Sequence, residues 1–147
     1  YLEKPVLFLS AFFKKHQELY YQKLAGYHAG QVVAWLDFFL DGIIEIGGQA
    51  IHTVEKIISL REKDILKIHV LDKRSSATAV KVLPKLYEQP LVSMPVMREW
   101  TGFTKKGAQL VIDRFIDMGI LFPLDANVKY RQLYYYKEYL QIFTENE

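Results

Sequence analysis

Within the most apolar stretch of the chain, Val32 to Ile46, the carboxylates Asp37, Asp41 and Glu45 recur at every fourth residue. That repeat follows the turn of an α-helix and not the alternation of a strand, so the stretch reads as an amphipathic helix with one wet stripe rather than a membrane span. Trp35, Phe38, Phe39, Ile43 and Ile46 fall on its buried side. The carboxylates read as the solvated face and not as a metal site, because a hard cation needs ligands that converge from several directions.

The chain has 147 residues, 50% hydrophobic and 24% charged, a globular composition with room for one compact domain or two small ones. It contains no cysteine, which excludes disulfides, thiol nucleophiles and cysteine zinc sites. No two of His16, His28, His52 and His69 stand at i, i+3 or i, i+4, so no metal site is expected. The 19 basic and 17 acidic side chains nearly cancel, and any surface for nucleic acid has to be a local patch. The opening residues, Tyr1 to Val6, have neither the charge order nor the cleavage site of a signal peptide. The chain reads as a piece of a longer, cytoplasmic protein with no membrane partner.

Apolar residues from Leu7 and Leu9 through Phe12, Phe13, Leu19, Tyr20 and Leu24 predict helix from Val6 to about Ala25, and Gly26 and Gly30 bracket a turn. Helix resumes near Gln31 and continues to about Leu71, with Gly47-Gly48 a place for a bend. The polar run Asp72-Lys73-Arg74-Ser75-Ser76 interrupts the periodicity and offers a serine as helix cap, which sets a domain boundary between residues 74 and 75.

Beyond it the elements are short. Ala79, Val80, Leu83, Leu86 and Tyr87 share a helical face that Pro84 should kink, and Pro90 closes it. Ser93 caps a helix through Trp100 with Pro95 in its first turn. Thr101-Gly102-Phe103 turns into a third helix capped by Thr104, buried along Ala108, Val111, Ile112, Phe115 and Ile116, and stopped by Gly119. Ile120 to Pro123 and Val128 to Tyr136 then read as a β-hairpin around Asp125-Ala126-Asn127, and Lys137 to Phe143 as a short helix. Helix, helix, turn, helix, hairpin is the order of a winged helix-turn-helix.

In that arrangement the second helix of the pair offers Thr104, Lys105, Lys106 and Gln109 to a major groove, and the wing adds Lys129 and Arg131 for phosphate. Asp113, one turn beyond Gln109, opposes phosphate. Winged helices also serve as protein docking or dimerisation modules, with the aromatic strand Leu133 to Tyr136 as the surface, so duplex DNA and a protein partner both stand as readings.

Lys4-Pro5-Val6-Leu7-Phe8-Leu9-Ser10, then Phe12-Phe13-Lys14-Lys15-His16, Tyr20-Tyr21 and Trp35-Leu36-Asp37-Phe38-Phe39-Leu40-Asp41-Gly42, resemble the later part of a Fic-domain protein. Fic proteins are protein adenylyltransferases, and many bacterial members end in a winged helix. The resemblance implies a mainly α chain: residues 1–74 the helical remnant of a Fic domain, residues 75–147 a winged helix-turn-helix with a small β-hairpin. The family's catalytic signature, H-P-F-x-x-G-N-G-R, supplies the base and the ATP phosphate loop. The chain has no His-Pro pair and no Gly-Asn-Gly, so catalytic residues are expected only in the intact parent, which by resemblance uses ATP and Mg to transfer AMP to a hydroxyl of a protein substrate. By the same resemblance Tyr20, Tyr21 and His28 are the outer wall of the nucleotide site, against the alternative of ordinary helix packing. Loss of the catalytic helix is expected to leave Leu7, Leu9, Phe12 and Phe13 exposed, a route to homodimers.

Overall fold

The computed structural model describes residues 9–125 and 131–144. Its order is α1 (Leu9–Lys15), α2 (Gln17–His28), α3 (Val32–His69), α4 (Lys73–Glu88), β1 (Leu91–Ser93), α5 (Met94–Thr101), α6 (Lys105–Asp117), β2 (Leu121–Pro123), β3 (Leu133–Tyr136) and α7 (Lys137–Thr144). The fold is mainly helical with one small antiparallel sheet. No helix among the described residues is long and apolar enough to cross a membrane. The chain divides into two compact units, Tyr1–Glu55 and Lys56–Glu147.

In the N-terminal unit the expected single helix is two, separated at His16, and the turn before α3 is Ala29-Gly30, since Gly26 lies within α2. Phe12, Phe38 and Ile46 are buried together, with Leu9, Phe13, Tyr20 and Trp35 packed around them. Phe12 and Phe13 are therefore not the exposed surface that the sequence suggests; Leu7 lies outside the described residues. The physical reason is Gly42, which has no side chain where the Phe12 ring approaches α3: a Cβ there would lie 2.7 Å from the ring. Asp37 and Asp41 are exposed as the wet stripe requires, but they share the open face of α3 with Val33, Leu36, Leu40 and Ile44. Lys15 donates to Glu45 at 2.7 Å, and chiefly that bond holds the Glu45 carboxyl below its ordinary pKa. The helix runs on through Gly47-Gly48.

In the C-terminal unit, Leu60, Asp64 and Ile68 of α3 are all buried and stand one turn apart. Because Leu60 and Ile68 pack into the same core as α4 and α6, the polar run at residues 72–76 lies within this unit. That run does start a helix, but its cap is Asp72 and not a serine. The Asp72 carboxylate accepts from the backbone N–H groups of Arg74 and Ser75, each at 3.1 Å, while Ser75 is buried in the first turn. Hydrogen bonds from Ser75 are the main cause of the lowered Asp72 pKa. α4 continues through Pro84. The carbonyl that loses its partner there belongs to Val80, which is half exposed, so water can replace the bond.

Sheet order is β1-β3-β2, with Val92 opposite Tyr134 and Leu121 opposite Tyr136. The expected hairpin is thus the antiparallel pair β2–β3, and β1 is an additional strand. β3 is central, with both edges paired, and buries Tyr134 and Tyr136. The Tyr136 hydroxyl donates to the buried Asp64 carboxylate and lies 3.3 Å from the Tyr87 hydroxyl. Lys67 completes the group, with Nζ 2.8 Å from Asp64 Oδ1.

Candidate nucleic-acid interface

Helix α6 begins where Gly102, at φ 69°, lets the chain leave α5 in a left-handed conformation that a side chain would oppose. Thr104 then caps α6, its Oγ1 accepting from Gly107 N at 3.3 Å. Ala108, Val111, Ile112 and Phe115 are buried, which fixes the roll of the helix, and Ile116 is half-buried beside them. Gly119 follows at φ 67°. With that roll set, the opposite side of α6 is open: Lys105, Lys106, Leu110, Asp113 and Asp117 are all exposed.

One flank of α6 borders a cleft of about 610 Å³. Lys105 and Gln109 line it from α6, Arg98 from α5, and Arg131 and Gln132 from the segment entering β3, over apolar Met94, Pro95 and Leu133. Among the described residues no carboxylate lines it. Three cations from three parts of the chain thus meet in one open groove at the N-terminal end of a helix, where unpaired N–H groups and the helix dipole already favour an anion. Arg131 sits at φ 56°, and Gln132 anchors the segment beside it by donating to the Asp125 carbonyl at 2.8 Å.

Of the residues singled out in the sequence, Lys105, Gln109 and Arg131 are brought together here. Thr104 lies on the other flank, in a second cleft, and Lys106 stands on the ridge between the two. Lys129 is outside the described residues. Asp113, expected from the sequence to oppose phosphate, has its carboxylate accepting from the Gln109 amide at 2.8 Å. Arg98 is the residue that sequence reasoning missed. A lone arginine in the last turn of a short helix has the look of a solvated charge, and only the packing of α5 against α6 turns it into the groove.

In the N-terminal unit, Tyr20 packs against Phe13 and Trp35, with ring centroids 5.0 and 5.7 Å apart. Tyr21 and His28 are exposed two turns apart on one side of α2. Tyr20 therefore faces the aromatic cluster while the other two face outward. No group of three or more His, Asp or Glu placed to hold a metal occurs among the described residues. No protein-family model matches the chain, and no curated protein matches it.

Proposed function

We propose that residues 75–147 form a winged helix that binds duplex DNA, with α6 in the major groove and the segment entering β3 as the base of the wing. The single observation that carries this reading is the cleft lined by Arg98, Lys105, Gln109 and Arg131 and, among the described residues, by no carboxylate. Lysine and arginine suit phosphate and the acceptors of guanine, and glutamine suits adenine, so the groove combines backbone holding with base reading. Lys106, on the exposed ridge, adds a fourth cation. The rival reading, in which β3 docks a protein, has less support, because both edges of β3 are paired and Tyr134 and Tyr136 are buried.

Residues 1–74, on their sequence resemblance, are the part of a Fic domain that follows the catalytic loop. AMP transfer with ATP and Mg then belongs to the intact parent, and Tyr21 with His28 forms an outer wall of its nucleotide site. The winged helix would give that activity a genomic address.

Selection from a random pool of short duplexes at two salt concentrations tests the DNA reading. Four phosphate contacts give a log–log slope of about −3.6, or roughly a hundredfold loss of affinity between about 50 and 200 mM salt. Binding indifferent to salt, with no sequence enriched, overturns it.

A further inference from the structure

We propose that the outer side of α3 in the N-terminal unit is a self-association surface, on which two copies of the chain pair antiparallel, α3 against α3. The inference is independent of the DNA reading. Val33, Leu36, Leu40, Ile44, Ile51 and Val54 are each between 49 and 72% exposed. With Gly47 they stand at steps of three, four, four, three, four and three residues, 21 residues in six steps. The mean step is 3.5 residues, the repeat that keeps one narrow stripe facing a neighbouring helix along its whole length. Phe38, Gly42 and Ile46 carry the packing against Phe12 from the other side of the helix. α3 therefore has two apolar sides in this unit, and α1 occupies only one of them.

The area of the second side suffices for a stable pair. Partly exposed Val, Leu and Ile side chains offer on the order of 100 Å² each, so six give about 600 Å² per copy and about 1,200 Å² for a symmetric pair, the lower bound of a stable specific interface. Ile43 and Ala50, half-buried beside the stripe, add to it. The flanking chemistry selects a second copy over other occupants of an apolar face. A membrane surface favours lysine and arginine along the flanks, whereas the exposed flank here carries Asp37 and Asp41, which also repel nucleic acid. Two identical stripes match in length and leave no charge in the seam. The midpoint of Val33 and Val54 falls between Ile43 and Ile44, so a two-fold axis there sets Val33 against Val54 and Leu36 against Ile51, with the two Ile44 side chains beside the axis. This direction holds the two copies of Asp37 about 20 Å apart along the helices, whereas a parallel pair brings both copies of Asp37 and Asp41 to one end.

Sedimentation equilibrium of the whole chain from about 1 to 100 μM, at low and high salt, reads the mass directly. The expected result is twice the mass of one chain, unchanged by salt because the seam is apolar. Ile44→Glu, at an exposed position, is expected to halve the mass with helix content by circular dichroism unchanged. Leu40→Ala, which adds no charge, should move the dissociation midpoint to at least about tenfold higher concentration. Val70→Glu, 87% exposed just beyond the end of α3, should keep the dimer mass. Because the chain has no cysteine, single cysteines report direction under mild oxidation: Ile44→Cys links to itself, and Val33→Cys links to Val54→Cys but not to itself. A single-chain mass throughout the range, dissociation by salt, a mass unmoved by both Ile44→Glu and Leu40→Ala, or a dimer lost equally in Val70→Glu overturns the surface. Val33→Cys linking to itself overturns the antiparallel pairing.

Discussion

Replacing Tyr136 by phenylalanine removes one oxygen from the centre of the C-terminal unit and leaves the ring. Tyr136 is fully buried, its hydroxyl donates to Asp64, and Asp64 has no exposed surface. A hydrogen bond to a charged group contributes about 1.5–3 kcal/mol, so Tyr136→Phe should destabilise the chain by about 2 kcal/mol at pH 7. Asp64 keeps Lys67 at 2.8 Å, which places the loss well below that of stranding a buried charge. The pH dependence adds a second signature. Burial first, then the hydrogen bond to Asp64, raises the Tyr136 pKa far above its ordinary value. A raised folded pKa means stability that is complete below the unfolded value and is lost as pH rises above it. The unfolded tyrosine ionises near pH 10, so by about pH 11 this residue has cost the wild type about 1.4 kcal/mol in all and the variant nothing. Urea unfolding followed by circular dichroism at about pH 7, 9 and 11 should show the gap closing from about 2 to about 0.6 kcal/mol. A gap below about 0.5 kcal/mol at pH 7, or one that does not narrow with pH, refutes the bond from this hydroxyl to Asp64.

The remaining predictions concern separate parts of the fold. Gly42→Ala gains about 1 kcal/mol in helix propensity but drives a Cβ to within 2.7 Å of the buried Phe12 ring, an overlap of the kind that costs about 1–3 kcal/mol, so a net loss of stability is expected in urea melts. Gly47→Ala, in the same helix with no described atom within 4 Å of the new methyl, should instead stabilise by about 0.5–1 kcal/mol, and the opposite order would contradict the packing of α1 on α3. Thr104→Ala should cost about 1 kcal/mol through the lost α6 cap, read by the same melts. Asp72→Ala should lower the melting temperature at neutral pH and reduce the acid sensitivity of stability. The lowered Asp72 pKa gives a contribution present above the unfolded carboxyl value and lost as pH falls through the folded one.

What was legible in the sequence was what local spacing encodes. The buried positions of α6, its Thr104 cap and the Gly119 stop follow from a helical repeat and its end signals, and each is present in the structure. β1 was not legible, because three residues, Leu91–Ser93, carry no periodicity and form a strand only by pairing with β3, some forty residues away. Asp64 was equally hidden: a carboxylate in a helix reads as solvated until the partners that neutralise it, Lys67 in the same helix and Tyr136 from a distant strand, are in place. The exposure expected at Phe12 failed for a related reason, since the glycine that admits its ring is thirty residues further along. In the candidate interface, Lys105 and Gln109 could be found from helix position alone, whereas Arg98 required the angle between α5 and α6.

Titration of the isotope-labelled chain with a short duplex, followed by backbone amide shifts, tests the central claim most directly. The account predicts the largest changes at Lys105, Gln109, Arg98 and Arg131 around the first cleft beside α6, diminishing as salt is added, with the α2 residues Tyr21 and His28 unmoved. Shifts absent from that cleft while other surfaces respond, or no change at any salt concentration, would contradict it.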